Sequence, residues 1–122
     1  MRILRCLFCF LLFGALRLAA TPTDEIEGLL RHVAQLEGAS FVRNGEAHTP
    51  KEAEAHLRLK WTSQKGKIAT AEDFIKLCAT KSSMSGQAYV IRFKDGHEED
   101  AGKVLARELE AMRAKAKSAP SH

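Results

Sequence analysis

Three times this chain places a threonine three residues before an acid: Thr21 with Asp24, Thr49 with Glu52 and Thr70 with Asp73. A threonine hydroxyl accepts from the third amide of a new helix while the acid reaches back to the capping amide, so each pair fixes a helix start. Pro22 and Pro50 follow two of these threonines at the first helical position, where no amide is needed. Behind each start the apolar residues recur at helical spacing: Ile26, Leu29, Leu30, Val33 and Leu36; then Ala53, Leu57 and Trp61; then Phe74, Ile75 and Cys78. The spacing predicts helices from Pro22 to about Glu37, from Pro50 to about Gln64 and from Ala71 to about Thr80. A fourth, over residues 101–113, follows from Val104, Leu105, Leu109 and Met112, and the polar end from Lys115 to His122 is expected to fray.

Between these helices lie two strand-like segments. Gly38 is the expected stop of the first helix, and Ser40-Phe41-Val42-Arg43 after it is closed by Asn44-Gly45, a strong two-residue turn signal. Tyr89-Val90-Ile91-Arg92-Phe93 is the clearest strand, and Lys94-Asp95-Gly96 turns the chain after it. Each strand needs a partner and neither has another, so Phe41–Arg43 is expected to pair with Tyr89–Phe93 and lean on the helices. Glu98-Glu99-Asp100 reads as negative charge at a helix start. The fold class is α+β: one mostly helical domain of about four helices with a small two-stranded antiparallel ribbon.

Residues 1–20 carry a different signature. Arg2 and Arg5 open the chain, an apolar run extends from Cys6 to Leu16, and Leu18-Ala19-Ala20 precede the polar Thr21. This is the pattern of a cleavable signal peptide; its apolar run is shorter than the ~20 residues that span a bilayer, so export to the periplasm with cleavage after Ala20 is expected. Residues 21–122 then form the single domain. Cleavage removes Arg2, Arg5 and Arg17 from nineteen Lys and Arg while all fifteen Asp and Glu stay, which lowers the net charge from +4 to +1. A near-neutral domain without a basic stripe gives nucleic-acid binding little support. Of three cysteines only Cys78 remains, so no internal disulfide is available and the core must stabilise the domain.

The order of polar blocks carries a resemblance. Phe41-Val42-Arg43-Asn44-Gly45 with His48, then Glu52-Ala53 with His56-Leu57-Arg58 and Lys60, then Thr70-Ala71-Glu72 with Phe74-Ile75, then Lys81-Ser82-Ser83 with Ser85-Gly86 and Tyr89 stand collinear over Glu25–Arg92. This resembles the YfeK-like family of domains of unknown function, small exported proteins of Gram-negative bacteria. The resemblance implies the periplasm and a compact fold, and no reaction, cofactor or partner.

The residues themselves nominate a polar surface. Arg43, Asn44, His48, His56, Arg58 and Lys60 cluster around one turn and the helix it feeds, and Ser83, Ser85, Gly86 and Tyr89 form a second block. Turn chemistry explains Asn44-Gly45 and His48 unaided, and His56 sits at the edge of an apolar face, where a hydrogen-bonded histidine is common. Glu52 and His56 share a helix face and His48 or His32 could join them, but the dense ligand spacing of zinc sites is missing, so no metal is expected. Cys78 on an apolar face reads as an inert core thiol, and the serines beside Lys81 as turn and cap residues, so no catalytic constellation and no cofactor are expected. The expectation is a non-enzymatic protein that binds another protein or a cell-wall component through this surface. The alternative is a periplasmic inhibitor of a lysozyme-like hydrolase, because Ser85-Gly86-Gln87-Ala88-Tyr89 fits the S-G-x-x-Y pattern of loops that such inhibitors press against catalytic carboxylates.

Overall fold

A computed structural model describes residues 20–118 of the chain. Residues 1–19 of the expected signal peptide and the last four residues of the expected frayed end lie outside the described residues. All three threonine-acid pairs close as capping boxes: the amides of Asp24, Glu52 and Asp73 each donate to the threonine hydroxyl at 3.1 Å, and the threonine amides donate back to the acids. They open α1 (Pro22–Ala34), α2 (Pro50–Ser63) and α3 (Ala71–Phe74), which continues as a π-helical turn over Ile75–Ala79. α4 (Ala101–Ser118) is the fourth helix.

Two helix ends differ from the sequence expectation. α1 stops at Ala34 rather than Glu37, because its end tightens: the Gln35 amide is shared between the carbonyls of Arg31 and His32, and the Leu36 amide takes that of Val33. Gly38 then turns the chain at φ +76°, where a side chain would meet the Lys94 methylenes at 2.9 Å. α4 runs on to Ser118, past the expected end at residue 113, since Ala114, Lys115, Ala116 and Lys117 are good helix formers with no breaker among them.

The sheet corrects the ribbon. It has four strands, in the order β2-β1-β3-β4, all antiparallel: β1 (Ser40–Arg43), β2 (Glu46–His48), β3 (Val90–Arg92) and β4 (Glu98–Asp100). The expected pair is present at its centre, with Phe41 opposite Ile91 and Val42 opposite Val90. β2 exists because Asn44 and Gly45 both take left-handed angles, φ 53° and 80°, and such a turn folds the next residues straight back onto β1. β4 is the Glu98-Glu99-Asp100 run, a charged edge strand rather than a helix start. Arg92 holds Glu98 at 2.7 Å and Arg107 holds Glu99 at 2.7 Å, so its acids are matched to neighbours while they protect the edge.

Phe41 and Ile91 point from the sheet into a core built from Ile26, Leu29, Leu30 and Val33 of α1, Leu57 and Trp61 of α2, Phe74 and Cys78 of α3 and its π turn, and Val104, Leu105 and Leu109 of α4. Trp61 is buried and meets Phe74 edge to face at 6.1 Å, as its place on the Ala53–Leu57 face requires. Arg113 of α4 reaches Glu25 at 2.9 Å and Glu72 at 2.6 Å and so ties three helices together. Among the described residues, no helix is long and apolar enough to cross a membrane.

Candidate functional site

The pairing of β1 with β3 brings both polar blocks to one end of the sheet. Asn44, at the turn, donates through Nδ2 to Ser82 Oγ at 3.3 Å and accepts from Ser85 Oγ through its own oxygen. Ser82 is the organiser of the second block: it is buried, and its Oγ also accepts from the amides of Met84 and Ser85 at 3.3 Å each. Sequence reasoning singled out Ser83 and Ser85 and passed over Ser82, because three serines in a row of turn residues carry no signal of which one faces inward. Gly86, at φ +75° with open space around it, closes the loop through its amide to the Ser82 carbonyl.

An open cleft of about 500 Å³ lies between these blocks and α2, walled by Arg43, Asn44 and Glu46 of the hairpin, His56 and Lys60 of α2, and Ser82, Ser83, Met84 and Tyr89. Lys60 is a helix residue only 9 % exposed, and its Nζ donates to the Lys81 carbonyl at 3.2 Å and the Tyr89 hydroxyl at 3.1 Å. Arg43 donates to Nδ1 of His56, and Nε2 of His56 lies 3.3 Å from the Tyr89 hydroxyl. Arginine can only donate, so Nδ1 is the bare nitrogen and Nε2 carries the proton. Burial first, then the positive charges of Arg43 and Lys60 and the neighbouring His48, hold the His56 pKa below the ordinary histidine value, which keeps this ring neutral.

Two consequences follow for the chemistry. Among the described residues, neither Arg43 nor Lys60 has a carboxylate within 4 Å; Glu46 on the rim stands nearest to His48, at 3.6 Å. Tyr89 is a residue only 7 % exposed, and its hydroxyl accepts from both Lys60 and His56, which leaves the hydroxyl proton with no acceptor among the described residues. Two cations and a spare hydroxyl donor therefore converge in a cleft whose one acidic wall residue, Glu46, pairs with neither cation.

Not every nominated residue is here. Arg58 lies on another face of α2, where it grips Glu27 of α1 at 2.8 and 2.9 Å and Glu54 at 3.3 Å; this pairing holds Glu27 below its ordinary pKa and raises that of Arg58. It is a strut between helices, and two residues of spacing along α2 separate it from the cleft side. His48 borders a neighbouring crevice instead, 3.6 Å from Glu46 and 3.8 Å from Glu52 and with Nε2 out of hydrogen-bond reach of any group among the described residues. Ser85 and Gly86 sit at the exposed loop tip beside Met84, which is 96 % exposed. Among the described residues no group of three or more His, Cys, Asp and Glu could hold a metal ion. Cys78 is buried, and burial raises its thiol pKa.

Residues 20–113 match a family of unknown function, DUF5329, from the first capping box into α4. The chain belongs to this family. It is 45% identical over 64 residues to the uncharacterized protein YfeK of Salmonella typhimurium, across 52% of this chain and 53% of that protein. The chain thus spans about half the length of the curated relative it matches. The YfeK-like likeness holds, and the family match extends past Arg92 into the last helix. No solved structure matches.

Proposed function

We propose that this is a non-enzymatic periplasmic binding protein whose cleft receives an acidic group of a protein or a cell-wall component. One observation carries the reading: among the described residues, Arg43 and a nearly buried Lys60 face the cleft with no carboxylate within 4 Å, Glu46 on the same wall included, beside a tyrosine hydroxyl whose proton has no acceptor there. A desolvated cation without a counter-ion is unfavourable, and an incoming carboxylate would relieve it through charge-assisted hydrogen bonds. Catalysis has less support. Both nitrogens of His56 are engaged, and Ser82 Oγ is tied to two amides and Asn44, so no nucleophile stands beside a free base. Periplasmic location rests on the sequence from Arg2 to Ala20, and N-terminal sequencing of the exported protein should begin at Thr21; an uncut product would contradict it.

Acetate is the simplest probe of the cleft. Titrated into the purified protein and followed by amide NMR, it should perturb residues around Arg43, Lys60 and Tyr89, and Lys60→Met and Arg43→Met should each weaken binding about tenfold or more, the loss typical of one charge-assisted contact. Perturbations elsewhere would contradict the reading. Inhibition of a lysozyme-like hydrolase is the second reading, and the exposed tip formed by Met84, Ser85 and Gly86 favours it, since that loop is free to enter a partner's groove. It requires Ser85 to exchange Asn44 for a catalytic carboxylate. Ser85→Ala should then abolish inhibition without altering acetate binding, and a protein that inhibits no lysozyme removes this reading.

A further inference from the structure

Behind the cleft lies a second space. A half-open crevice of about 50 Å³ runs between the sheet, α2 and α4; Phe41, Ala53, Leu57, Ala79, Ala101 and Leu105 are its apolar walls, and His48, Glu52, Arg43, His56 and Tyr89 complete the lining. Those last three residues also wall the polar cleft. An apolar group and an anion can therefore be held side by side across one shared wall, with Arg43 reaching both spaces. A water-sized group needs about 10–15 Å³ of such room, so the crevice takes a chain of about four carbons. Apolar walls of this kind make a poor home for water and a good one for alkyl groups.

The cleft is much larger than a carboxylate. At about 500 Å³, with Asn44, Glu46 and Ser83 on its walls, it has room and hydrogen-bonding groups for a stretch of polar backbone beyond the anion. Building on the acidic-group reading above, we infer that the ligand is the C-terminal residue of a peptide bearing a short apolar side chain: the carboxylate lies among Arg43, Lys60 and the Tyr89 hydroxyl, the side chain enters the crevice, and the preceding peptide unit lies along the cleft. A free carboxylate would satisfy the cations and leave the crevice empty; a neutral apolar ligand would fill the crevice and leave the cations unanswered. Only a group with both parts uses both spaces. Leu59, exposed on α2 and outside both linings, serves as a control position.

The test is a ladder of acetyl-Ala-Xaa dipeptides with Xaa glycine, alanine, valine or leucine, each as free acid and as C-terminal amide, titrated into the purified protein by calorimetry or NMR. The inference expects affinity to rise about fourfold for each side-chain carbon from glycine to leucine, whose four carbons fill the crevice, and to fall at least tenfold for the amides. Ala53→Leu, which fills the crevice from α2, should flatten the ladder; Ala53→Val is the milder variant should the first fail to fold, and Leu59→Ala should follow wild type. A flat ladder in wild type, with free acids still preferred over amides, overturns this inference and leaves the acidic-group reading intact. Short free acids that bind as tightly as the matching dipeptides overturn the peptide assignment. Absence of binding by every free acid, acetate included, overturns both.

Discussion

Lys60 is the residue that separates a site from a scaffold. Were its task structural, losing its bonds to Lys81 and Tyr89 would destabilise the protein; if it is held for a ligand, the folded state is better off without a buried and unanswered charge. Lys60→Met keeps the length and apolar body of the side chain, and it should leave the melting temperature unchanged or raise it while weakening acetate binding. A fall of several degrees would assign Lys60 to the scaffold. His56 makes a pH-dependent contribution whose sign is fixed. Its folded pKa lies below the unfolded value of about 6.5, so below that pH the unfolded chain binds the extra proton and stability drains away as the solution acidifies. His97 acts in the opposite sense, because Asp95 and then Glu99 raise its pKa, so its contribution is present in acid and is lost as pH rises through the raised value. The difference between wild type and His56→Gln isolates the first effect: urea midpoints from pH 7.5 to 5 should fall more steeply in wild type, and parallel curves would contradict the assignment of His56 as neutral.

At the scale of elements, each piece that places the cleft has its own weak point. Trp61 anchors α2 against Phe74 and thereby sets where Lys60, its neighbour in sequence, can point. Trp61→Ala should cost about 3–5 kcal/mol by urea denaturation, as buried aromatic truncations do. The Asn44-Gly45 turn sets the other wall. Asn44 sits at φ 53° and ties the hairpin to Ser82 and Ser85, so Asn44→Ala should lower stability by about 1–2 kcal/mol from the backbone conformation alone and should also loosen the 82–87 loop, seen as faster amide exchange at Gly86. A change confined to the turn would mean that the loop stands without it. Arg58, by contrast, braces α1 against α2 and should affect stability without touching acetate binding.

Across the whole molecule, legibility in the sequence follows the range of the forces involved. Helix starts were readable because a capping box is complete within four residues, and the β1–β3 pairing because these two segments alone carry a strand preference of their own. β2 and β4 were not readable: Glu46-Ala47-His48 and Glu98-Glu99-Asp100 have no strand preference of their own, and they pair because turns at Asn44-Gly45 and Gly96 return them to stronger strands. The same limit governs the cleft. Both polar blocks were identifiable from residue types, but that Arg58 turns away, that Ser82 rather than Ser83 is buried, and that Lys60 is enclosed without an acid depend on contacts 20 to 40 residues apart in the chain. All of these contacts bear on one claim, that Arg43, Lys60 and Tyr89 form a receptor for a carboxylate. An anion seated there lies beside His56 and favours its protonated form, so the His56 ring reports directly on occupancy. The measurement is the NMR titration of the His56 ring protons with and without saturating sodium acetate at constant ionic strength, chloride replacing acetate in the control. The account predicts a pKa below the ordinary histidine value in chloride and a clear rise in acetate that Lys60→Met abolishes; a His56 titration that acetate leaves unmoved would contradict it.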